Sequence, residues 1–227
     1  MKILIGIQAR SNSTRFPNKI YEKIGDDSIL KHIYKVCNSV KVLEKVVSLQ
    51  TWILSPHGDG VLESYCKFEG LPIIPGPEGL AEDDLVARYN YAIGKTQADA
   101  MIRITSDCPL LDPNWIKAAI KSLLECDYVS NTISRTVVDG FDVQGISKNA
   151  WAYYEKEAKD REHVFRDIEQ DYIFRDNFMK AGFTIQSMFA NEPMIPNPFH
   201  PKNKLSVDTM EDFERVKGIY EQIQRKS

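Results

Sequence analysis

ILIGIQARSNSTRFPNK, Ile3 to Lys19, is the stretch on which the reading of this chain turns. An apolar run, Ile3 to Ile7, gives way abruptly to a polar segment holding Arg10, Arg15 and Lys19. Ser11, Asn12, Ser13 and Thr14 lie between the cations, and Pro17 stiffens the exit. An apolar run of about five residues bounded by turn formers predicts a strand buried on both faces. The polar segment is then a loop at that strand's carboxyl end, where open α/β sheets bind ligands. Backbone N–H groups, hydroxyls and cations together suit polyphosphate by charge and hydrogen bonding. A solvated surface loop has the same composition, so residue types alone leave both readings open. The segment is not a Walker loop, because no GxxxxGK[ST] occurs.

Working outward, Ile29, Leu30, Ile33, Val36, Cys37 and Val40 recur at helical spacing, with Ser28 placed to cap the start. Val46 to Leu54 predicts a second strand, Val61 to Phe68 a helix ended by Gly70, and LPIIPG from Leu71 a short third strand. EDDLVARYNYAIGK follows as a helix whose acidic start favours its dipole. Asp99 to Thr105 predicts another strand, ending in Ser106-Asp107-Cys108-Pro109. Asp112-Pro113 then opens a helix with Trp115, Ile116, Ala119, Ile120 and Leu123 inward, and DYVSNT from Asp127 is a further strand. This alternation argues an α/β fold with a largely parallel sheet.

The second half reads differently. Arg135 to Ser147 has a turn at Asp139-Gly140 and reads as a hairpin or an active-site flap. Glu162 to about Lys180 predicts one long helix, and TIQSMFA from Thr184 a strand. Met194 to Pro201, with three prolines, is expected to be irregular. KLSVDT from Lys204 reads as a last short strand before a closing helix from Met210. No repeat or linker interrupts the chain, so its 227 residues are expected to form one domain, 1–227.

A hydrophobic content of 43% and a charged content of 27% are ordinary for a globular protein. The formal net charge of -3 offers no general attraction to nucleic acid or an acidic membrane, so any anion site must be local. No apolar run approaches the ~20 residues of a membrane span, and the opening residues lack a secretory signal pattern. Cys37, Cys66, Cys108 and Cys126 form no CxxC pair, so a cytoplasmic location with reduced thiols is expected. Cys108 stands beside Asp107 without a nearby His and reads as a packed thiol.

QARSNSTRFPNK resembles the QARMGSTRLPGK signature of the spore coat polysaccharide biosynthesis protein F group, within the cytidylyltransferases similar to CMP-Kdo and CMP-sialate synthetases. RITSDCPLLDP from Arg103, DGFDVQ from Asp139, REHV from Arg161 and SVDTMEDF from Ser206 follow in that family's order, nearly end to end. The resemblance implies a Rossmann-like three-layer α/β/α fold of the nucleotide-diphospho-sugar transferase kind. It implies transfer of CMP from CTP to a sugar, sugar acid or phosphorylated acceptor, with Mg2+ as cofactor and pyrophosphate as product. Small molecules would be the partners, without nucleic acid or membrane, and a homodimer is compatible with the reading.

By the same resemblance Asp107 and Asp208 would hold Mg2+, which prefers a few carboxylates together with phosphate oxygens and water. Taken alone, each aspartate could be a turn former or helix cap. Arg10, Arg15 and Lys19 would stabilise the departing pyrophosphate, Arg by bidentate contacts and Lys as a point charge. Gln8, Ala9, Ser11 and Ser13 would complete the nucleotide loop. Asp84 and Arg88 would lie near the nucleotide, or be a helix cap and a surface cation. Arg103 would reach phosphate or acceptor, or pair with an acid. Asp139, Asp142, Gln144, Arg161 and His163 are implied on the acceptor side, His163 as a proton acceptor or as a capping residue.

Three positions depart from the family pattern. Asn12 and Asn18 stand where the family usually has Gly, and Asn visits left-handed backbone readily. Gln144 replaces the usual Glu, removing a charge from the presumed acceptor side. The competing readings are a nucleotide-sugar-dependent glycosyltransferase and a non-catalytic nucleotide-binding regulatory or scaffold protein.

Overall fold

The computed structural model describes residues 1–42, 46–189 and 204–225; the expected irregular stretch Met194 to Pro201 lies outside them. In chain order the strands are β1 (Lys2–Gln8), β2 (Lys23–Ile24), β3 (Asp27–Ser28), β4 (Ser48–Ser55), β5 (Ile73–Pro75), β6 (Ala100–Thr105), β7 (Tyr128–Ser130), β8 (Gln144–Ser147) and β9 (Ile185–Ser187). The helices are α1 (Ile29–Asn38), α2 (Gly60–Glu69), α3 (Leu85–Thr96), α4 (Pro113–Ser122), α5 (Lys148–Glu157), α6 (Arg166–Gln170), α7 (Tyr172–Lys180) and α8 (Met210–Gln224).

The opening apolar run forms β1, buried from Ile3 to Ile7, within a seven-stranded sheet of order β5-β4-β1-β6-β8-β7-β9. Its parallel neighbours pair in register, Ile5 opposite both Thr51 and Ile102. Alternation along β1 divides the core. Ile3, Ile5 and Ile7 face α1, α2, α4 and α8, whereas Leu4 faces α3, α5, α6 and α7. Both faces are covered, giving three layers, and each fully buried aliphatic side chain contributes roughly 1.5–3 kcal/mol. The caps follow the local residue chemistry. Ser28 accepts the Lys31 N–H, Asp112 the Asn114 N–H, and Gly70 ends α2 at φ +66°.

The second half departs from expectation in three places. Arg135 to Ser147 keeps its turn at Asp139-Gly140 but is no hairpin, because β8 inserts antiparallel between β6 and β7. The expected helix from Glu162 to Lys180 starts only at Arg166, after Phe165 takes a left-handed φ of 73°. It breaks again at Asp171, whose carboxylate accepts the Ile173 and Phe174 N–H groups and starts α7. Residues 204–208 form no strand. Their N–H groups turn sideways, Leu205 donating to the Asp139 carbonyl at 2.7 Å and Val207 to the Asp107 carbonyl at 2.8 Å.

Gly6 admits α3 to the sheet. A Cβ there would lie 2.7 Å from the Tyr89 ring and 2.9 Å from Leu54 Cδ1, while the buried Tyr89 hydroxyl donates to the Gly6 carbonyl at 3.0 Å. Gly6→Ala is expected to cost about 1–3 kcal/mol by overpacking. Thermal unfolding should show a clear drop in Tm, whereas Gly94→Ala, which meets nothing within 4 Å, should not lower it.

Candidate active site

The carboxyl ends of β1 and β6 open into a cleft of about 230 Å³. Gln8, Ala9, Arg10, Ser13, Arg15 and Lys19 line it from one side, Asp107, Asp208, Arg88 and His163 from others. The remaining expected residues, Ser11, Asp84, Arg103, Asp139, Asp142, Gln144 and Arg161, stand outside its lining.

Ser11 is the knot of the cation loop. Its carbonyl accepts the N–H groups of Ser13 and Asn18, both at 3.1 Å, closing the loop on itself. Its own N–H and hydroxyl both donate to Asp59, at 2.7 Å each, and the hydroxyl lies 2.6 Å from the Tyr21 hydroxyl. Asp59 also accepts the Leu62 N–H and so caps α2. Asn18 takes a left-handed φ of 62°, as an Asn at a glycine position can, and leads into a short 3-10 turn, Lys19–Tyr21. Asn12 is not among the described residues with positive φ.

The inner end of the cleft holds the acid pair. Lys19 Nζ donates to Asp107 Oδ2 at 3.0 Å, Asp208 Oδ1 at 3.3 Å and the Val207 carbonyl at 2.6 Å. Arg15 reaches Asp208 Oδ1 at 2.8 Å, and Lys204 pairs with the other Asp208 oxygen. Burial pushes the Asp208 carboxyl upward, but the Lys204 hydrogen bond and the charges of Lys19, Lys204 and Arg15 outweigh it and hold it below the usual carboxylate range. Burial first, and the neighbouring Asp107 charge second, drive the Cys108 thiol far up, so it stays protonated and packed.

At the other end Arg10 stands 3.5 Å from Glu82, and Arg88 is 3% exposed. The Arg88 guanidinium donates to the Glu82 carbonyl, its Nε has no partner among the described residues, and burial lowers its pKa. Asp84 caps α3 through the Ala87 N–H at 2.8 Å and receives Arg161 Nε at 2.8 Å. This bridge ties the start of α3 to the segment before α6. His163 is half-exposed at the cleft edge, its N–H and ring Nδ1 both near Asp160.

The expected acceptor residues have separate fates. Asp139 accepts the Ser206 hydroxyl at 2.8 Å, and Asp142 forms a two-pronged pair with Arg135 at 2.7 and 2.8 Å. Burial, then the Asp142 charge, raises the Asp139 carboxyl. Gln144 links two charges: its Oε1 accepts from Arg103 at 2.5 Å and its Nε2 donates to Glu169 at 2.7 Å. Glu169 Oε1 also accepts from Tyr128, Ser130 and Thr132. Arg103 Nε donates to Gln8 Oε1 at 2.9 Å, so its two side-chain bonds go to neutral amides. Asp59 and Glu169 are the residues that sequence reasoning missed. Only Gly58-Asp59-Gly60 left a signal, that of a turn before α2, where Asp59 proves to be the cap.

No group of three or more His, Cys, Asp and Glu comes together among the described residues. The hard oxygens of Asp107 and Asp208 nevertheless converge on one ammonium, a donor set that fits Mg2+ when phosphate and water complete the shell.

The cytidylyltransferase family profile matches residues 4–52. The chain is 26% identical to the spore coat polysaccharide biosynthesis protein SpsF of Bacillus subtilis, over 96% of this chain and 86% of the relative. It is 29% identical to the 3-deoxy-manno-octulosonate cytidylyltransferase of Solibacter usitatus, over 96% and 94%. A solved cytidylyltransferase from Leptospira borgpetersenii superposes with a TM-score of 0.76 at 25% identity, covering 96% of this chain and 85% of the other.

Asp59→Ala would leave the Ser11 N–H and the α2 start without their acceptor, costing about 1–3 kcal/mol. Hydrogen exchange should show faster loss of protection at Ser11, Ser13 and Asn18, with the sheet amides of β1 little changed.

Proposed function

We propose that the chain is a cytidylyltransferase of the spore coat protein F and CMP-Kdo synthetase type, a reading supported by the profile match and by its relatives, and that its cleft works accordingly. An acceptor oxygen attacks the α-phosphorus of CTP, an O–P bond forms, and the bond to the β-phosphate oxygen breaks to release pyrophosphate. The product serves surface polysaccharide or glycan synthesis, made by a single cytoplasmic domain acting on small molecules rather than nucleic acid. The observation that carries this reading is the convergence of Arg10, Arg15 and Lys19 with Asp107 and Asp208 in one cleft at the ends of β1 and β6.

Catalysis is then mostly positioning and charge neutralisation. Arg15 and Lys19 lie at the acid pair, where the triphosphate would sit, and Arg10 and Arg88 lie toward the nucleoside end. Asp107 and Asp208 would hold Mg2+, which when bound neutralises and orients the triphosphate. Removing one preorganised cation is worth roughly 2–4 kcal/mol of transition-state stabilisation. No base is assigned to His163, which stands with Asp160.

Arg103 supports an anionic acceptor. It is half-buried, its partners are amides, and it forms no ion pair among the described residues. Gln144 thus leaves the guanidinium charge available, whereas a Glu there would neutralise it.

The first test is a titration of CTP, UTP, GTP and ATP, each with and without Mg2+, on wild type and Asp107→Ala. Preferential CTP binding, strengthened by Mg2+ and weakened by about tenfold or more in the variant, is expected. Tighter binding of another nucleotide overturns the cytidylyl assignment, and no triphosphate binding overturns the enzyme reading. For the acceptor side, Gln144→Glu should raise KM for sugar acids or sugar phosphates about tenfold in a pyrophosphate-release assay. CTP affinity should stay within about twofold, because Arg103 lies outside the nucleotide cleft.

A further inference from the structure

Lys19 occupies the acid pair in a way that its role as a phosphate-binding cation does not require. An ammonium has three N–H donors, and all three find acceptors: Asp107 Oδ2, Asp208 Oδ1 and the Val207 carbonyl. Its side chain is only 11% exposed. Three of the four carboxylate oxygens of the pair carry a cation, since Arg15 shares Asp208 Oδ1 and Lys204 holds Oδ2. Among the described residues, Asp107 Oδ1 meets only the weak Cys108 thiol donor at 3.5 Å.

We propose that Lys19 is a built-in stand-in for the divalent cation, which makes metal and triphosphate binding mutually dependent. The inference rests on the cytidylyltransferase reading of the cleft. A divalent cation placed on these oxygens would stand within a few ångströms of the ammonium, and two like charges at that range repel strongly away from bulk water. The metal therefore binds poorly while Lys19 stays. A triphosphate offers Lys19 and Arg15 a more highly charged anion and draws both off the carboxylates. Arg15, 65% exposed, and the four-carbon Lys19 stem have the freedom for this exchange. Each release turns one ion pair into another, and the metal then takes the carboxylate oxygens that the cations have left. By linkage, the factor by which triphosphate improves metal binding equals the factor by which metal improves triphosphate binding.

The test is Mn2+ binding, read by electron paramagnetic resonance of free Mn2+, in protein without nucleotide. Lys19→Met should bind Mn2+ at least tenfold tighter than wild type, yet bind metal-free CTP at least tenfold more weakly. These opposite signs are what a merely structural lysine would not produce. Lys19→Gln, which keeps hydrogen-bond donors without charge, should behave the same way, whereas Lys19→Arg should keep weak Mn2+ binding. Adding Asp107→Ala to Lys19→Met should abolish the gain and so locate it at the pair. Unchanged or weaker Mn2+ binding in both neutral variants overturns the proposal. If wild type binds no CTP even with Mn2+, the family reading of the cleft fails instead.

Discussion

Lys19 joins segments 88 and 189 residues away along the chain, and the arrangement of the cleft depends on that one ammonium. Two aspartates facing each other without a cation would repel, so the site needs positive charge to exist in the absence of ligand. The fold delivers the three parts by different routes. Lys19 follows β1 and Asp107 follows β6, and these strands are neighbours in register. Asp208 has no strand to place it. It is set by Val207 pairing with the Asp107 carbonyl, by Ser206 and Leu205 pairing with Asp139, and by the Thr209–Asp212 capping box of α8. Gly140, at φ +114°, lets that approach happen, because a Cβ there would stand 2.7 Å from the Leu205 backbone.

The first half of the fold was legible because periodicity and punctuation agree there. Ile3 to Ile7, the Ser28 cap, the Gly70 stop and the Asp112-Pro113 start each carry a local reason for their structure. The second half was not, since its structure answers to partners far away in sequence. Gln144 to Ser147 is a short strand only because β6 and β7 lie on either side of it. The break at Asp171 and the left-handed Phe165 divide a pattern that is helical throughout by spacing. In the cleft, the cations and the acid pair could be named from motifs. Asp59 could not, because a cap on α2 and a clasp for Ser11 require the same carboxylate and only the first is local.

The departures from the family pattern divide by what the backbone asks of them. Asn18 takes the left-handed conformation that a glycine would supply, so the loop keeps its course. Gln144 changes charge rather than shape. As an amide it can accept from Arg103 and donate to Glu169 at once, which a carboxylate could not do without protonation. The negative charge beside Gln144 is that of Glu169, to which the Tyr128, Ser130 and Thr132 hydroxyls also donate.

The chain Arg103–Gln144–Glu169 ties β6 and β8 to α6. Asp139 and Asp142, though in a motif implied to meet the acceptor, are engaged elsewhere: one holds the segment that bears Asp208 and the other pairs with Arg135. The charge of Asp142 is already matched by a guanidinium, whereas Arg103, held by amides, has no matching anion among the described residues. Under the proposed function, discrimination among acceptors would fall to Arg103, which is fixed on β6 four residues before Asp107. The same strand thus sets both Asp107 at the cleft and Arg103 beside Gln144, and a shift of β6 against β1 would disturb the two together.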